Sequence, residues 1–350
     1  MTGPAIWLLR RLVIAPAMIL LAVALWVLLP LWLIVVAALV PILPGRWRLL
    51  RILWLTVVWV TAESVLLVIL FGWWIASGFG RLIRTPYWEG VHYDLVQGLM
   101  YVVFREARRV LALRIETDGP SPEAYPGRPL IVACRHAGPG DSFTLIHALM
   151  HWYDREPRVV LKDTLAWDPS VDVVMNRIPA RFVSPSKGGQ NFEAQIAALA
   201  RGLDGNDAFV IFPEGGNFTP ERRQRGIDRL RKLGLERMAR RAEQMTHVLA
   251  PRPGGLLAAL DAAPDADVVL VAHTGLDHML TVGDVWRELP MDKVIVMRWW
   301  QVPRDEIPVE REARIDWLFE WWEQIDEWVA EHRPQELGRR RGWRRTAEVG

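Results

Sequence analysis

The chain has 350 residues, 42 Lys plus Arg against 40 Asp plus Glu, and a formal net charge of +2. That length holds one large domain or two, and the small net charge hides arginine clusters whose fields are local. Hydrophobic residues make up 51% of the chain and include 19 tryptophans, an unusual load for a soluble enzyme, whereas the single cysteine, Cys134, excludes an internal disulfide framework and any multi-cysteine zinc site.

The apolar residues are concentrated at the N-terminus. From Leu12 to Gly45 no residue is charged. As one helix that stretch would run about 50 Å against a hydrocarbon core of about 30 Å. With Pro30 near its middle, a tilted helix and a re-entrant hairpin both fit. A cleavable signal peptide does not, because the block far exceeds an h-region. A second block, Ile52 to Gly80, carries one charge, Glu63, expected to be paired or to face protein. Basic clusters flank the blocks: Arg10 and Arg11, then Arg46, Arg48 and Arg51, then Arg81 and Arg84. Whether the blocks span fully or dip and return, the remaining chain stays on the side of the N-terminus, and the basic flanks place it on the cytoplasmic face. Trp73, Trp74, Tyr87 and Trp88 resemble an interfacial belt. Residues from about Val91 to Leu113 read as an amphipathic helix with Arg105, Arg108 and Arg109 opposite its apolar face, either packed on a domain or lying on headgroups.

After Leu113 the pattern alternates. Strands are expected at Leu130–Ala133, Arg158–Leu161, Arg181–Val183, Ala208–Phe212, Val268–Val271 and Val294–Met297. Helices are expected at Asp141–Trp152, Val171–Asn176, Asn191–Gly202, Pro220–Arg241 and Glu310–His332. The fold class is therefore α/β, a mixed and mostly parallel sheet flanked by helices, preceded by N-terminal membrane-embedded helices. The expected division is 1–84 membrane anchor, 85–115 interfacial helix, 116–335 catalytic domain and 336–350 basic tail.

Two loops leave the C-terminal ends of strands, where open α/β sheets place their sites. The first is Cys134-Arg-His136-Ala-Gly-Pro-Gly-Asp141-Ser142-Phe143. Its glycine-proline turn folds back so that Asp141 can hold one imidazole nitrogen of His136 and leave the other basic, a dyad suited to deprotonating a substrate hydroxyl. Cys134 reads as a small buried residue at a strand end, with a thiol nucleophile paired to His136 as the rarer option. A His-x4-Asp pair alone is a common chance pattern; the second loop, Phe212-Pro213-Glu214-Gly215-Gly216-Asn217-Phe218-Thr219, adds weight. Pro213 stops the ladder and the glycines let backbone amides approach a ligand. Glu214 either holds a substrate hydroxyl or braces the loop.

Together the loops resemble the glycerolipid acyltransferase family, which includes 1-acylglycerol-3-phosphate and lysocardiolipin acyltransferases. His136/Asp141 match its His-x4-Asp motif, and Phe212-Pro213-Glu214-Gly215 match its Phe-Pro-Glu-Gly motif. An arginine-rich helix and Leu249-Ala-Pro251-Arg-Pro-Gly254-Gly255 continue the likeness, which covers roughly residues 111–308. The resemblance implies acyl transfer from acyl-CoA or an acyl carrier protein as co-substrate to a lysophospholipid or related lipid hydroxyl. It also implies His136 as base, Asp141 as its orienter, donors near Gly215 or on the histidine loop for the oxyanion, and no metal or further cofactor. Two arginines that grip acceptor phosphate in the family are replaced here, by Asn217 in the second loop and by Pro185 after Phe182-Val-Ser. Lys187, Arg181, Arg222 or Arg223 are the candidate substitutes, and a larger headgroup or a glycolipid becomes a fitting acceptor.

Other signals point elsewhere. His147 and His151 share a helix face at metal-ligand spacing without a third ligand, which reads as packing. Gly140-Asp141-Ser142 is similar to the start of GDSL lipid hydrolases with Ser142 as nucleophile, but their late Asp-x-x-His pair is missing. The run Arg222, Arg223, Arg225, Arg229, Arg231, Lys232, Arg237, Arg240 and Arg241 fits anionic lipid or CoA phosphates better than nucleic acid. A catalytically degenerate, lipid-binding membrane protein is the non-enzymatic alternative. The expected partners are a lysolipid acceptor, an acyl thioester donor and membrane lipids, and the oligomeric state is open.

Overall fold

The computed structural model describes residues 4–41, 47–119, 127–138, 140–183, 190–277, 282–289 and 292–334. Lys187, Pro185, Arg46 and the basic tail 336–350 lie outside the described residues.

The uncharged N-terminal block is not one long helix. α1 (Pro4–Leu9), a π-helical turn (Arg10–Ile14) and α2 (Ala15–Val27) run together, and the chain breaks at Leu28 before α3 (Leu29–Leu39). Pro30 sits in the first turn of α3, where its missing N–H costs no hydrogen bond. α4 (Arg48–Ala76) follows, and it and the Ala5–Val27 stretch are long and apolar enough to cross a membrane. The two pack side by side: the Ser64 hydroxyl donates to the Met18 carbonyl at 3.2 Å and the Trp26 indole to the Thr61 hydroxyl at 2.9 Å.

α4 lies against the rest of the protein for most of its length. Near its start Arg48 donates to the carbonyls of Leu289 and Arg287 at 2.9 and 2.6 Å, and Arg51 donates to the Val110 carbonyl. Midway, the Trp59 ring meets Phe143 edge-on at 5.8 Å. Near its end Leu66, Leu67 and Leu70 pack with Met150, Val173, Val174 and Ile178, and Arg177 donates to the Leu70 carbonyl at 2.8 Å. From Arg48 to Leu70 is about 33 Å of helix at 1.5 Å per residue. Glu63 is buried, as its single charge in an apolar block requires. The first basic cluster is also structural, because Arg10 and Arg11 pair with buried Asp172 at 3.2 and 3.0 Å.

α5 (Pro86–Leu111) starts earlier than the periodicity suggests, at a proline suited to a first turn, and ends with Ala112 in the left-handed region. It is packed on the domain: Tyr93 donates to the Pro157 carbonyl at 3.2 Å and Gln97 to the Met150 carbonyl at 2.5 Å. The next strand begins at Leu113, so the boundary expected at 115/116 falls inside it.

The α/β domain then runs β1 (Leu113–Asp118), β2 (Leu130–Cys134), α6 (Asp141–Trp152), β3 (Glu156–Lys162), α7 (Pro169–Met175), β4 (Ala180–Val183), α8 (Gln190–Ala200) and β5 (Asp207–Ile211). It continues with α9 (Pro220–Lys232), α10 (Glu236–Gln244), α11 (Pro253–Ala262), β6 (Asp267–Thr274), α12 (Val282–Glu288), β7 (Lys293–Val302) and α13 (Arg311–His332). The seven strands form one sheet in the order β1-β7-β6-β2-β5-β3-β4, parallel at every junction except β6/β7. Alternate residues of the central strands feed two cores. Ile131, Ala133, Phe209, Ile211, Val268 and Leu270 pack under α8, α11 and α13, while Leu130, Val132, Ala208, Val210 and Val269 pack under α6. Burial on both faces explains why these strands read as continuous apolar runs.

The single helix expected over Pro220–Arg241 is two helices. Gly234, at φ +74, ends α9 and lets Leu235 donate back to the Leu230 carbonyl at 3.0 Å. β1, α11 and α12 were not anticipated. β1 is a mostly exposed edge strand without an apolar run. α11 opens Pro-Gly-Gly, which resembles a loop, but proline suits a first helical turn. Gly255 lets α11 sit tight, since a Cβ there would come within 2.9 Å of Ile211 and 3.0 Å of Ile196.

Candidate active site

β2 and β5 are parallel neighbours with Ala133 opposite Ile211, so the two motif loops leave the sheet side by side. In the first loop Asp141 opens α6 and is buried. Its Oδ2 accepts the Gly138 N–H at 2.6 Å and lies 3.3 Å from His136 Nδ1. Burial pushes the Asp141 carboxyl up, but His273, the His136 contact and the Gly138 amide outweigh it, and the group stays below the usual carboxylate range. His136 is partly open to solvent, with its ring 4.7 Å from that of Phe212. Its Nε2 has no hydrogen-bond partner among the described residues.

The second loop clamps the first at both ends of one residue. Glu214 Oε1 accepts the His136 N–H at 3.1 Å, and the Phe218 N–H donates to the His136 carbonyl at 2.8 Å. The other Glu214 oxygen accepts the Leu249 N–H at 3.1 Å. With 1% of its surface exposed, Glu214 braces the loop and does not face a substrate, which decides between its two sequence readings. Burial pushes its carboxyl up to about 7, against the pull of Arg135 and the two amides.

Gly215 adopts φ +69 and donates its N–H to the Phe212 carbonyl at 3.0 Å, so that amide is already used within the turn. The N–H groups of Gly216 and Asn217 have no hydrogen-bond partner among the described residues. A Cβ on Gly215 would lie 3.0 Å from Arg252 Nη1, and one on Gly216 would lie 3.1 Å from Arg222 Nη1. Arg222 also donates to the Asn217 carbonyl at 3.0 Å. Arg223, by contrast, is committed to α10, donating to the carbonyls of Met245 and Glu243 at 2.6 and 2.7 Å. It is therefore removed from the set of site-facing cations. The thiol of Cys134 is fully buried, and burial raises its pKa well above the usual thiol value, which removes the nucleophile option.

Four residues of the site escaped the sequence. Arg135, buried beneath the dyad, pairs with Asp277 at 2.7 Å and donates to the carbonyls of His273 and His247 at 2.5 and 3.0 Å. His273 Nε2 lies 3.1 Å from the Arg135 carbonyl and 3.6 Å from Asp141 Oδ2. Because a carbonyl only accepts, the network assigns the proton to Nε2. Arg252, on the far side of Gly215, makes no side-chain hydrogen bond or ion pair among the described residues. Burial and the positive charge of Arg229 lower its pKa. Arg135 lies within the first motif loop and Arg252 within the Leu249-Ala-Pro251-Arg252 segment, whereas His273 and Asp277 carried no sequence signal.

An α/β sheet with a histidine–carboxylate pair and a glycine turn at the ends of adjacent strands is an arrangement suited to general-base chemistry on a hydroxyl. The acyltransferase family model matches residues 114–263, a span that contains both loops and Arg252. Among solved structures it is similar to the 1-acyl-sn-glycerophosphate (LPA) acyltransferase PlsC from Thermotoga maritima, at 14% identity over 77% of this chain and 96% of that one, with a TM-score of 0.44. No curated protein matches the chain.

Proposed function

We propose that this protein moves a fatty acyl group from a thioester, acyl-CoA or acyl carrier protein, to the hydroxyl of a lysophospholipid or related lipid at a membrane surface. The observation that carries this reading is the 3.3 Å approach of His136 Nδ1 to Asp141 Oδ2, with Nε2 left unengaged among the described residues. Held by Asp141, the imidazole takes the acceptor hydroxyl proton on Nε2. The alkoxide oxygen attacks the thioester carbonyl carbon, and the carbonyl oxygen becomes an oxyanion. The open amides of Gly216 and Asn217 are the donors suited to it. Collapse breaks the C–S bond, and the thiolate takes the proton back from the imidazolium.

Arg252 and Arg222 flank the Gly215-Gly216 turn and suit a phosphate-bearing headgroup, in place of the arginines that the motifs lack here. Membrane placement is supported by α4. One side is held along the domain, while Val65, Val68 and Phe71 are exposed. An apolar face of this extent suits a bilayer. Fixing of α4 at both ends to one body favours helices that enter and return over a full span, with the basic flanks and the domain on the cytoplasmic face.

The test is thioester cleavage by the purified full chain, with and without lysolipid, and by His136→Ala. Cleavage that depends on lysolipid and is lost in the variant is the expected result. Acceptor-independent cleavage, or turnover retained in the variant, sinks the reading. Binding of lysolipid with no cleavage at all would make the protein a degenerate binding module.

A further inference from the structure

Away from the two loops, a groove of about 300 Å³ opens between α5 and α6. Its lining includes Tyr101, Phe104, Arg105, Arg108, Arg109 and His147. The acyl-transfer machinery uses none of them. His147 lies in the second turn of α6, is 5% exposed, and makes no hydrogen bond among the described residues; its Nδ1 is wholly buried, which leaves Nε2 as the ring nitrogen that can meet a molecule in the groove. A buried imidazole without a partner is rare enough to need a reason. Its ring stacks on Phe104 at 4.0 Å, so its place in the groove is fixed.

The charge in the groove is also unbalanced. Arg105 and Arg109 share one carboxylate, Glu106, at 3.5 and 3.9 Å, and that carboxylate also takes the Trp54 indole N–H at 3.1 Å. Arg108 has no ion pair among the described residues. Two of the three guanidinium groups lining the groove thus share one carboxylate, and the third has none. Guanidinium forks match the oxygens of a phosphate, and the Tyr101 and Phe104 rings supply an apolar wall for the carbon skeleton attached to it. A volume of this size is at the low end for a small-molecule site.

We propose that the α5/α6 groove is a second binding site, separate from the catalytic one, for a phosphate ester, held by Arg108 with Arg105 and Arg109 and by the ring of His147. The ester is either a bilayer phospholipid headgroup or a free glycerophosphate; α5 adjoins α4, the helix with the exposed apolar face. The site stands on its own geometry and does not depend on the acyl-transfer reading.

Burial, His151 and Arg108 together hold the His147 imidazole down to about 4, and an anion against the ring would raise it. The test uses the full chain in a phosphate-free sugar detergent, with histidine-labelled NMR and the His147 signal identified by its loss in His147→Phe. One arm adds glycerol 3-phosphate, and the other adds phosphatidylglycerol to the micelles. The expected result is a shifted His147 signal and a raised titration midpoint in at least one arm, and the responding arm identifies the source. Arg108→Gln should weaken the response about tenfold, the loss of one charge-assisted contact. Arg240→Gln, on the exposed side of α10, should leave it unchanged. No shift in either arm, or equal weakening by the two variants, overturns the site.

Discussion

Glu214 holds His136 by its backbone: Oε1 accepts the His136 N–H at 3.1 Å while the second oxygen accepts that of Leu249. His136, the proposed base, is thus positioned through its main chain by the neighbouring loop, and through its ring by Asp141. Glu214→Ala leaves two buried N–H groups unpaired, a cost of about 2–4 kcal/mol. Thermal melting and thioester turnover should both fall, and an unchanged melt would show that the brace is dispensable.

The same carboxyl gives a pH signature. Its folded pKa of about 7 lies above the ordinary 4.5, so between those values the folded state holds more proton than the unfolded one. Its contribution is therefore largest at low pH and is lost as pH rises through 7. Glu214→Gln does not titrate. Stability of the wild type relative to this variant should drop by up to about 3 kcal/mol from pH 4.5 to 7. A flat difference would place the ionisation elsewhere.

Arg135 and Asp277 form a buried pair under the dyad at 2.7 Å. Asp277→Ala leaves a buried guanidinium uncompensated and should cost about 3–5 kcal/mol, whereas Arg135→Met with Asp277→Leu should recover part of it. Burial would raise the Asp277 carboxyl, but Arg135, Thr274 and the Gly275 amide hold it well below 3.8. Its stabilisation is present above 3.8 and lost as pH falls below it, which urea titrations at pH 3 and 6 can read.

Gly215→Ala forces a Cβ into the left-handed region and against Arg252. The strain should cost about 1–2 kcal/mol and move Arg252. Arg252→Gln should raise KM for a phosphate-bearing acceptor about tenfold with little change in kcat. An equal effect on an uncharged acceptor would remove Arg252 from headgroup recognition.

Val68 and Phe71 project from the outer side of α4. Val68→Glu with Phe71→Glu should weaken partition into vesicles by at least about a hundredfold, given roughly 2.5–3.5 kcal/mol per charge placed in a bilayer. The melt of the domain should not move. Undiminished partition would mean that this side of α4 faces water.

The sequence by itself determined the parts that rest on short-range pattern. The apolar strand runs, the boundaries of α6, the histidine–aspartate spacing and the glycine turn are local, and each was legible because burial on both sheet faces and turn chemistry leave direct marks on residue type. β1 left no such mark, being a polar edge strand paired to β7 across most of the chain. Only the tertiary structure decided which cations face the site. Arg222 and Arg223 are adjacent in sequence, yet one lies over Gly216 and the other caps α10. Arg252, His273 and Asp277 reach the site from distant segments, and α4 is laid along the domain by contacts with residues 110, 143, 177 and 287–289. Contacts between distant segments are set by how helices pack over the sheet, and no periodicity in a single chain records which of many arginines that packing will turn inward.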